Sequence, residues 1–458
     1  MKGRKMTALL AAFAVFFTAA CSTGGEEETE NENQEKQVVN FYTWVGDAEQ
    51  DYVKAMIAQY EEENPEVDIV DHYVPYGEYL SKLSTLEASG NMPEVFQLIE
   101  GKVFEWGSKG ALLDLKPLFD EAGVSLEEER ITDSVFSADG KVYGVGWDLI
   151  TMCLFYNKEM FRENQIEFPP ESADEPWTWE EFVDAAKKLT KDGNGKTPCD
   201  DGFDKDNIAV YGTVMPANWT KLLALLRTNN ASFASSDGTK FGLTEPEAIE
   251  VIQGIKDLSE KEFCAPDYSI GVNLEANIPA MIMSGQVGMM IEGSWNLPNY
   301  TNEGYDIGVA QIPMFAVPAN VTWSTSICMS PEAAENEAAF DFLRYATDYH
   351  NEIAATVKTG ISPGAIPQTK SIYADDEGMQ KWISAYTKVD AEEICYALKE
   401  IVEQENTTLG ENIRLKNFNV IIENKIVPAL ESVWLDEKSP EEAFGAVDLS
   451  EELEGVWK

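Results

Sequence analysis

The residue types and spacings that could do chemistry exclude more than they assign. Gly195-Lys196-Thr197 ends like a phosphate-binding loop, but that loop needs a glycine five positions before Gly195, where this chain has Thr190. Gly144-Val145-Gly146 lacks the third glycine of a dinucleotide fingerprint. With only two histidines, His72 and His350, zinc sites and Ser-His-Asp triads have almost no material to draw on. Paired carboxylates could hydrolyse glycosidic bonds, yet 81 Asp and Glu residues offer such pairs everywhere. Asp192-Gly193-Asn194-Gly195-Lys196, followed by Asp200, Asp201, Asp204 and Asp206, invites a calcium reading, because hard cations want clustered oxygen ligands. The EF-hand spacing breaks at Lys196, so the segment is read as a solvated acidic loop. No catalytic residue, metal or cofactor is expected.

At roughly 150 residues per domain, 458 residues suggest two or three domains, and 44% apolar with 25% charged residues excludes a wholly disordered chain. The 34 basic residues against 81 acidic ones give a net charge of −47, which argues against a nucleic-acid partner and against electrostatic attachment to anionic lipid. Membrane association would then need a hydrophobic or covalent device. Residues 1–20 carry a basic start, an apolar stretch too short to span a bilayer and a small-residue end, which is the pattern of an export signal. Cys21 follows at once. The arrangement resembles a bacterial lipoprotein signal, with Thr18 where that pattern usually has Leu; Cys21 would be lipidated, holding the chain on the outer face of the cell membrane. Residues 21–37 hold no large apolar side chain before Val38 and read as a disordered acidic tether. The remaining cysteines, Cys153, Cys199, Cys264, Cys328 and Cys395, form no CxxC pair and are odd in number. They are expected as small buried hydrophobes in a monomer whose core needs no staples.

From residue 38 short apolar runs alternate with amphipathic helical patterns, the mark of α/β construction. Strands are expected over 38–44, 67–74 and 94–99, with helices over 48–63 and 76–89 between them. Thr178-Trp179-Glu180-Glu181 has capping-box spacing ahead of Phe182, Ala185, Ala186 and Leu189, and another helix should run from Glu245 to Lys261 with Thr244 as its cap and Pro246 in its first turn. Trp106, Trp177, Trp179, Trp382 and Trp434 fall in helical or capping contexts and are assigned to packing.

Four blocks carry a resemblance. They are residues 140–161, from Gly140 through Trp147-Asp148 to Phe161; Trp177-Thr178-Trp179-Glu180-Glu181-Phe182; residues 283–295, ending Glu292-Gly293-Ser294-Trp295; and residues 305–313, from Tyr305 to Pro313. In this order they resemble the extracellular solute-binding proteins, of the family 1 type, of bacterial carbohydrate ABC importers. The resemblance implies a two-lobed α/β fold, the periplasmic-binding-protein-like fold of type II, with a hinge and a ligand cleft between lobes. By analogy the chain crosses near Gly144–Trp147 and again near Gln311–Phe315. Lobe 1 would be residues 38–146 plus 314–350, and lobe 2 residues 147–313 plus 351–458. The implied function is capture of a sugar or oligosaccharide and its delivery to ABC permease subunits, without chemistry. An exported glycoside hydrolase and a sugar-binding adhesin or sensor subunit remain open as alternatives.

A sugar is a ring of hydroxyls around patches of C–H, so its site needs flat apolar faces and groups that donate and accept hydrogen bonds. Matched to the family, Trp44 and Asp47 would face the cleft after the first strand, Glu100 after the third, and Asp148 beside the first crossing. Trp295 matches the position of a stacking tryptophan. Trp219, Trp323 and, from the loosely matching C-terminal segment, Arg414 complete the expected contacts.

Overall fold

The computed structural model describes residues 36–457 apart from 45–48, 132–133, 216–217, 275–276, 363, 365 and 411–413. The expected signal, Cys21 and nearly all of the tether lie outside the described residues, as does Asp47. Among the described residues the strands are β1 (Gln37–Thr43), β2 (Val67–Tyr73), β3 (Val95–Leu98), β4 (Val135–Ala138), β5 (Lys141–Gly146), β6 (Ile150–Asn157), β7 (Lys191–Asp192), β8 (Ile208–Val214), β9 (Val287–Gly293), β10 (Ile307–Ala310), β11 (Asn320–Trp323), β12 (Ser326–Met329) and β13 (Thr407–Leu409). They form two sheets. The first has the order β2-β1-β3-β12-β5-β4; the second runs β13-β11-β6-β9-β8-β7, with β10 paired to β6.

The first sheet is built as its apolar periodicity predicts. Helix α1 (Gln50–Glu63) buries Tyr52, Val53, Met56, Ile57 and Tyr60, and α2 (Tyr76–Ala88) buries Tyr79 and Leu83. These helices make β1, β2 and β3 parallel, as βαβ connections require. In the second sheet, β6 and β9 are buried along their whole length, the pattern of strands covered on both faces. The capping box at Thr178 is present: Glu181 N–H donates to Thr178 Oγ1 at 3.2 Å, and Thr178 N–H donates to Glu181 Oε2 at 2.8 Å.

Three expectations need correction. The helix Pro246–Glu260 begins after Glu245, which holds the extended backbone of the N-cap, so Thr244 stands one residue too early and caps nothing. Cys199 is exposed in the loop after Lys196, while the other four described cysteines are buried. Asp192, read as part of a solvated loop, is buried and accepts the N–H groups of Asn194, Lys196 and Asp204. Against the cost of desolvation, these donors hold its carboxyl below the usual carboxylate range.

The chain passes from the first sheet to the second over Trp147–Leu149 and returns over Ser324–Thr325. The return falls later than Gln311–Phe315 because β11 first pairs within the second sheet, Thr322 opposite Thr151 and Asn320 opposite Thr407. The helix Tyr349–Thr359 packs on α1 and contributes to two cores, Ala355 to one and Tyr349 with Ile353 to the other.

Close backbone approach is required at Gly212 on β8, where a methyl group would overlap the Ala186 carbonyl group on the helix Trp179–Leu189. Backbone cannot give way as a flexible side chain can. Gly212→Ala is expected to lower the urea unfolding free energy by about 3 kcal/mol, and an unchanged midpoint would contradict this helix–strand contact.

Candidate functional site

Parallel strands gather their carboxyl-terminal ends on one side of a sheet, which is where α/β proteins bind ligands. In the first sheet β1 runs out to Trp44, and β3 to Ile99 and Glu100. In the second, β9 runs out to Ser294 and Trp295, and its parallel neighbour β8 leads to Trp219 at the start of the helix Trp219–Thr228. All four ends border one cavity of about 470 Å³. The structure thus brings Trp44, Glu100, Asp148, Trp219, Trp295 and Trp323 together from distant parts of the chain. It does not bring Arg414 there. The Arg414 guanidinium lies 5.6 Å over the Phe104 ring, and its carbonyl accepts the Trp457 N–H at 2.8 Å.

The aromatic residues present their faces unequally. Trp295 is 37% exposed, and its ring lies 6.0 Å from that of Trp323, which is nearly buried. Trp44 is edge-on to Tyr76 and Tyr79, with ring centroids 5.8 and 4.8 Å away. Tyr76, at 63% exposure, adds a further wall to the cavity. Trp219 meets Phe418 edge-on at 5.2 Å.

Polar groups at the floor are fixed by a relay across both crossings. Trp44 N–H donates to Gln97 Oε1 at 3.2 Å, and Gln97 Nε2 donates to Thr325 Oγ1 at 3.1 Å. Thr325 then donates its N–H and its hydroxyl to Asp148 Oδ1, at 2.7 Å each. Burial lifts the Asp148 carboxyl above the usual carboxylate range, and the Thr325 donors pull it back. The Ser324 hydroxyl donates to the Asp148 carbonyl, and Trp147 N–H donates to the Thr325 carbonyl at 2.9 Å. Asp148 is therefore first a clamp between crossing segments, and it also borders the cavity.

Sequence reasoning missed Gln97, Thr325, Glu49, Tyr52, Tyr76 and Glu352, all of which line the cavity. For Gln97 a signal existed, since a buried amide inside the apolar β3 demands partners. For Glu352 none did. No Lys, Arg or His is among the described residues lining the cavity, whereas Glu49, Glu100, Asp148 and Glu352 are.

The family model for bacterial extracellular solute-binding proteins matches residues 55–388. The chain belongs to this family. It is 24% identical over 293 residues to the arabinooligosaccharide-binding protein of Bacillus subtilis, covering 63% of this chain and 62% of that protein. It is also 24% identical over 417 residues to the sn-glycerol-3-phosphate-binding periplasmic protein UgpB of Escherichia coli, covering 86% of each. Among solved structures, the ABC substrate-binding protein Lmo0181 from Listeria monocytogenes, in complex with cycloalternan, superposes with a TM-score of 0.72 at 21% identity, covering 90% of this chain and 96% of that one. The fold is the two-lobed one of periplasmic binding proteins, a mixed α/β structure with two sheets.

One buried ion pair positions two of the aromatic faces in this solute-binding protein. Lys221, two residues after Trp219, is fully buried and lies 2.6 Å from Glu292, three residues before Trp295. Asn218 fixes the approach by accepting the Lys221 N–H at 3.3 Å. Removing one partner leaves the other charge buried. Lys221→Met is expected to cost about 3–5 kcal/mol in urea unfolding, most of it recovered in Lys221→Met/Glu292→Met. Strictly additive losses in the double variant would show that the two groups are not coupled.

Proposed function

We propose that this binding protein captures an uncharged sugar or oligosaccharide in the cavity between its two sheets and presents the closed form to an ABC permease. The observation that carries this reading is the composition of the cavity: indole and phenol faces beside carboxyl and amide groups, with no cationic side chain among the described lining residues. Flat faces suit sugar C–H patches, and the carboxyl and amide groups suit hydroxyls. A phosphate needs cationic partners in this position; the helix Trp219–Thr228 borders the cavity with its N-terminal residues, but no Arg or Lys stands among the described lining residues and the carboxylates repel an anion. The cavity therefore favours the carbohydrate named for the Bacillus subtilis relative over the glycerol phosphate named for UgpB.

Trp44, Trp219, Trp295 and Trp323 are read as stacking faces, and Glu100 and Asp148 as hydrogen-bonding groups. Lobe 1 is taken as residues 38–146 with 326–350, and lobe 2 as residues 147–323 with 351–458. Ligand held by one lobe and touched by the other shifts an open–closed equilibrium toward the closed form. The role is binding without turnover. Micromolar affinity corresponds to about −8.2 kcal/mol, within reach of a few stacked faces and paired hydroxyls. Incubation with oligosaccharides that yields cleavage products would favour the hydrolase alternative.

Two measurements test this reading. Trp295→Ala should weaken sugar binding by about 1–3 kcal/mol, roughly 5- to 150-fold in calorimetric titration, while the apo protein melts close to wild type. A large fall in melting temperature with unchanged affinity would assign Trp295 to the core instead. The second concerns attachment, read as a lipid on Cys21 at the outer face of the membrane. Cys21→Ala should release the protein or leave an unprocessed precursor in fractionation. Normal membrane retention of a processed form would rule out the anchor.

A further inference from the structure

We propose that Glu352 meets the ligand as a neutral carboxylic acid, donating its proton to a ligand oxygen, and so determines specificity for hydroxyl-bearing solutes. This inference rests on the carbohydrate-binding reading. Glu352 lies on the helix Tyr349–Thr359, borders the cavity and is only 2% exposed. Its Oε1 has no hydrogen-bond partner among the described residues.

Among the described residues, the titratable groups whose charges act with that of Glu352 are all acids. They are Glu49 and Tyr52 at the start of α1, Asp148 in the first crossing, Tyr349 on the same helix, and Tyr386 after the helix Asp376–Ser384. A buried carboxylate with carboxyls for neighbours and no counter-charge is far costlier than the neutral acid. Like-charged groups sharing a site divide their protons unequally. Asp148 has two Thr325 donors to stabilise its charge, while the unpartnered Glu352 oxygen has none, so the proton belongs to Glu352. Burial, then the charges of Asp148 and Glu49, hold its carboxyl well above the usual carboxylate range.

A neutral carboxyl donates through one oxygen and accepts through the other, which matches a sugar hydroxyl. Because the protonated form binds, affinity is full below the raised pKa of Glu352 and falls as pH rises through it.

The test is titration of the full mature chain with maltotriose and with arabinotriose between about pH 6 and about pH 9, the range that buried glutamates reach. Wild-type affinity should hold or fall, never rise, toward the upper end. Glu352→Gln, permanently neutral yet able to donate and accept, should bind like wild type at about pH 6 and lose nothing at about pH 9. Glu352→Met should bind about tenfold or more weakly throughout. Without ligand, the wild-type melting temperature should fall relative to Glu352→Gln as pH rises, because the folded acid resists ionising. A wild-type affinity that rises with pH, or a Gln variant as weak as Met, would overturn the inference while leaving carbohydrate binding intact. Failure of both sugars to bind wild type would remove the carbohydrate reading and this inference with it.

Discussion

The bond on which the rest of the site depends is the one Thr325 makes to Asp148. Trp147–Leu149 and Ser324–Thr325 are the segments by which the chain leaves the first sheet and returns to it, already held side by side by the bonds that the Trp147 N–H and the Ser324 hydroxyl donate to the Thr325 and Asp148 carbonyls, and the Thr325–Asp148 side-chain bonds join that seam to the cavity. Both Thr325 donors converge on Asp148 Oδ1 at 2.7 Å, and Gln97 links the pair to the backbone of Trp44. Charge-assisted bonds are among the stronger ones available to a fold. Gln368, donating from Nε2 to the Trp147 carbonyl at 2.7 Å, and Ile366, donating to the Leu149 carbonyl at 3.0 Å, tie the segment after helix Tyr349–Thr359 to the same place.

In the proposed open–closed cycle, that arrangement makes the crossings the floor of the cavity and the two sheets its moving walls. The floor is three chain segments stitched together where they cross. The walls are strand ends from two separate sheets, Trp44 and Glu100 on one side, Trp219 and Trp295 on the other. In the proposed cycle, the ligand contributes binding energy only insofar as it touches both walls, since equal affinity for open and closed forms would shift nothing. The Lys221–Glu292 pair ties the helix that starts at Trp219 to the strand that leads to Trp295.

The parts of this site legible in the sequence are those that follow from strand ends. Trp44, Glu100 and Trp295 come within two residues of the ends of apolar strands, and a residue there has one direction to go once βαβ connections set the sheet. Asp148 was legible for another reason: a charge inside an apolar run must have partners. What escaped depends on contacts between segments distant in sequence. Glu352 sits in Tyr349-His350-Asn351-Glu352, where helical periodicity alone reads as an exposed polar turn; it is buried only because that helix packs on α1 at the junction of two cores. Arg414 failed for the converse reason, since its guanidinium found an aromatic ring outside the cavity. The return crossing was misplaced because β11 reads like a strand of either sheet, and pairing with β6 and β13 decides it.

Under the proposed carbohydrate reading, a net charge of −47 together with carboxyls in the cleft disfavours anionic cargo twice over, first in the long-range field and then at contact. An uncharged polyol feels neither. Its approach is governed by diffusion and its retention by stacking and hydrogen bonds, so the acidic surface can serve solubility at the cell envelope without a cost in capture. The same reasoning gives the buried acid its place. A polyol with many hydroxyl oxygens gains from every donor beyond the amides and hydroxyls that line the cleft, and Lys or Arg would supply one only by inviting anions. A protonated glutamate supplies the donor without adding a positive charge.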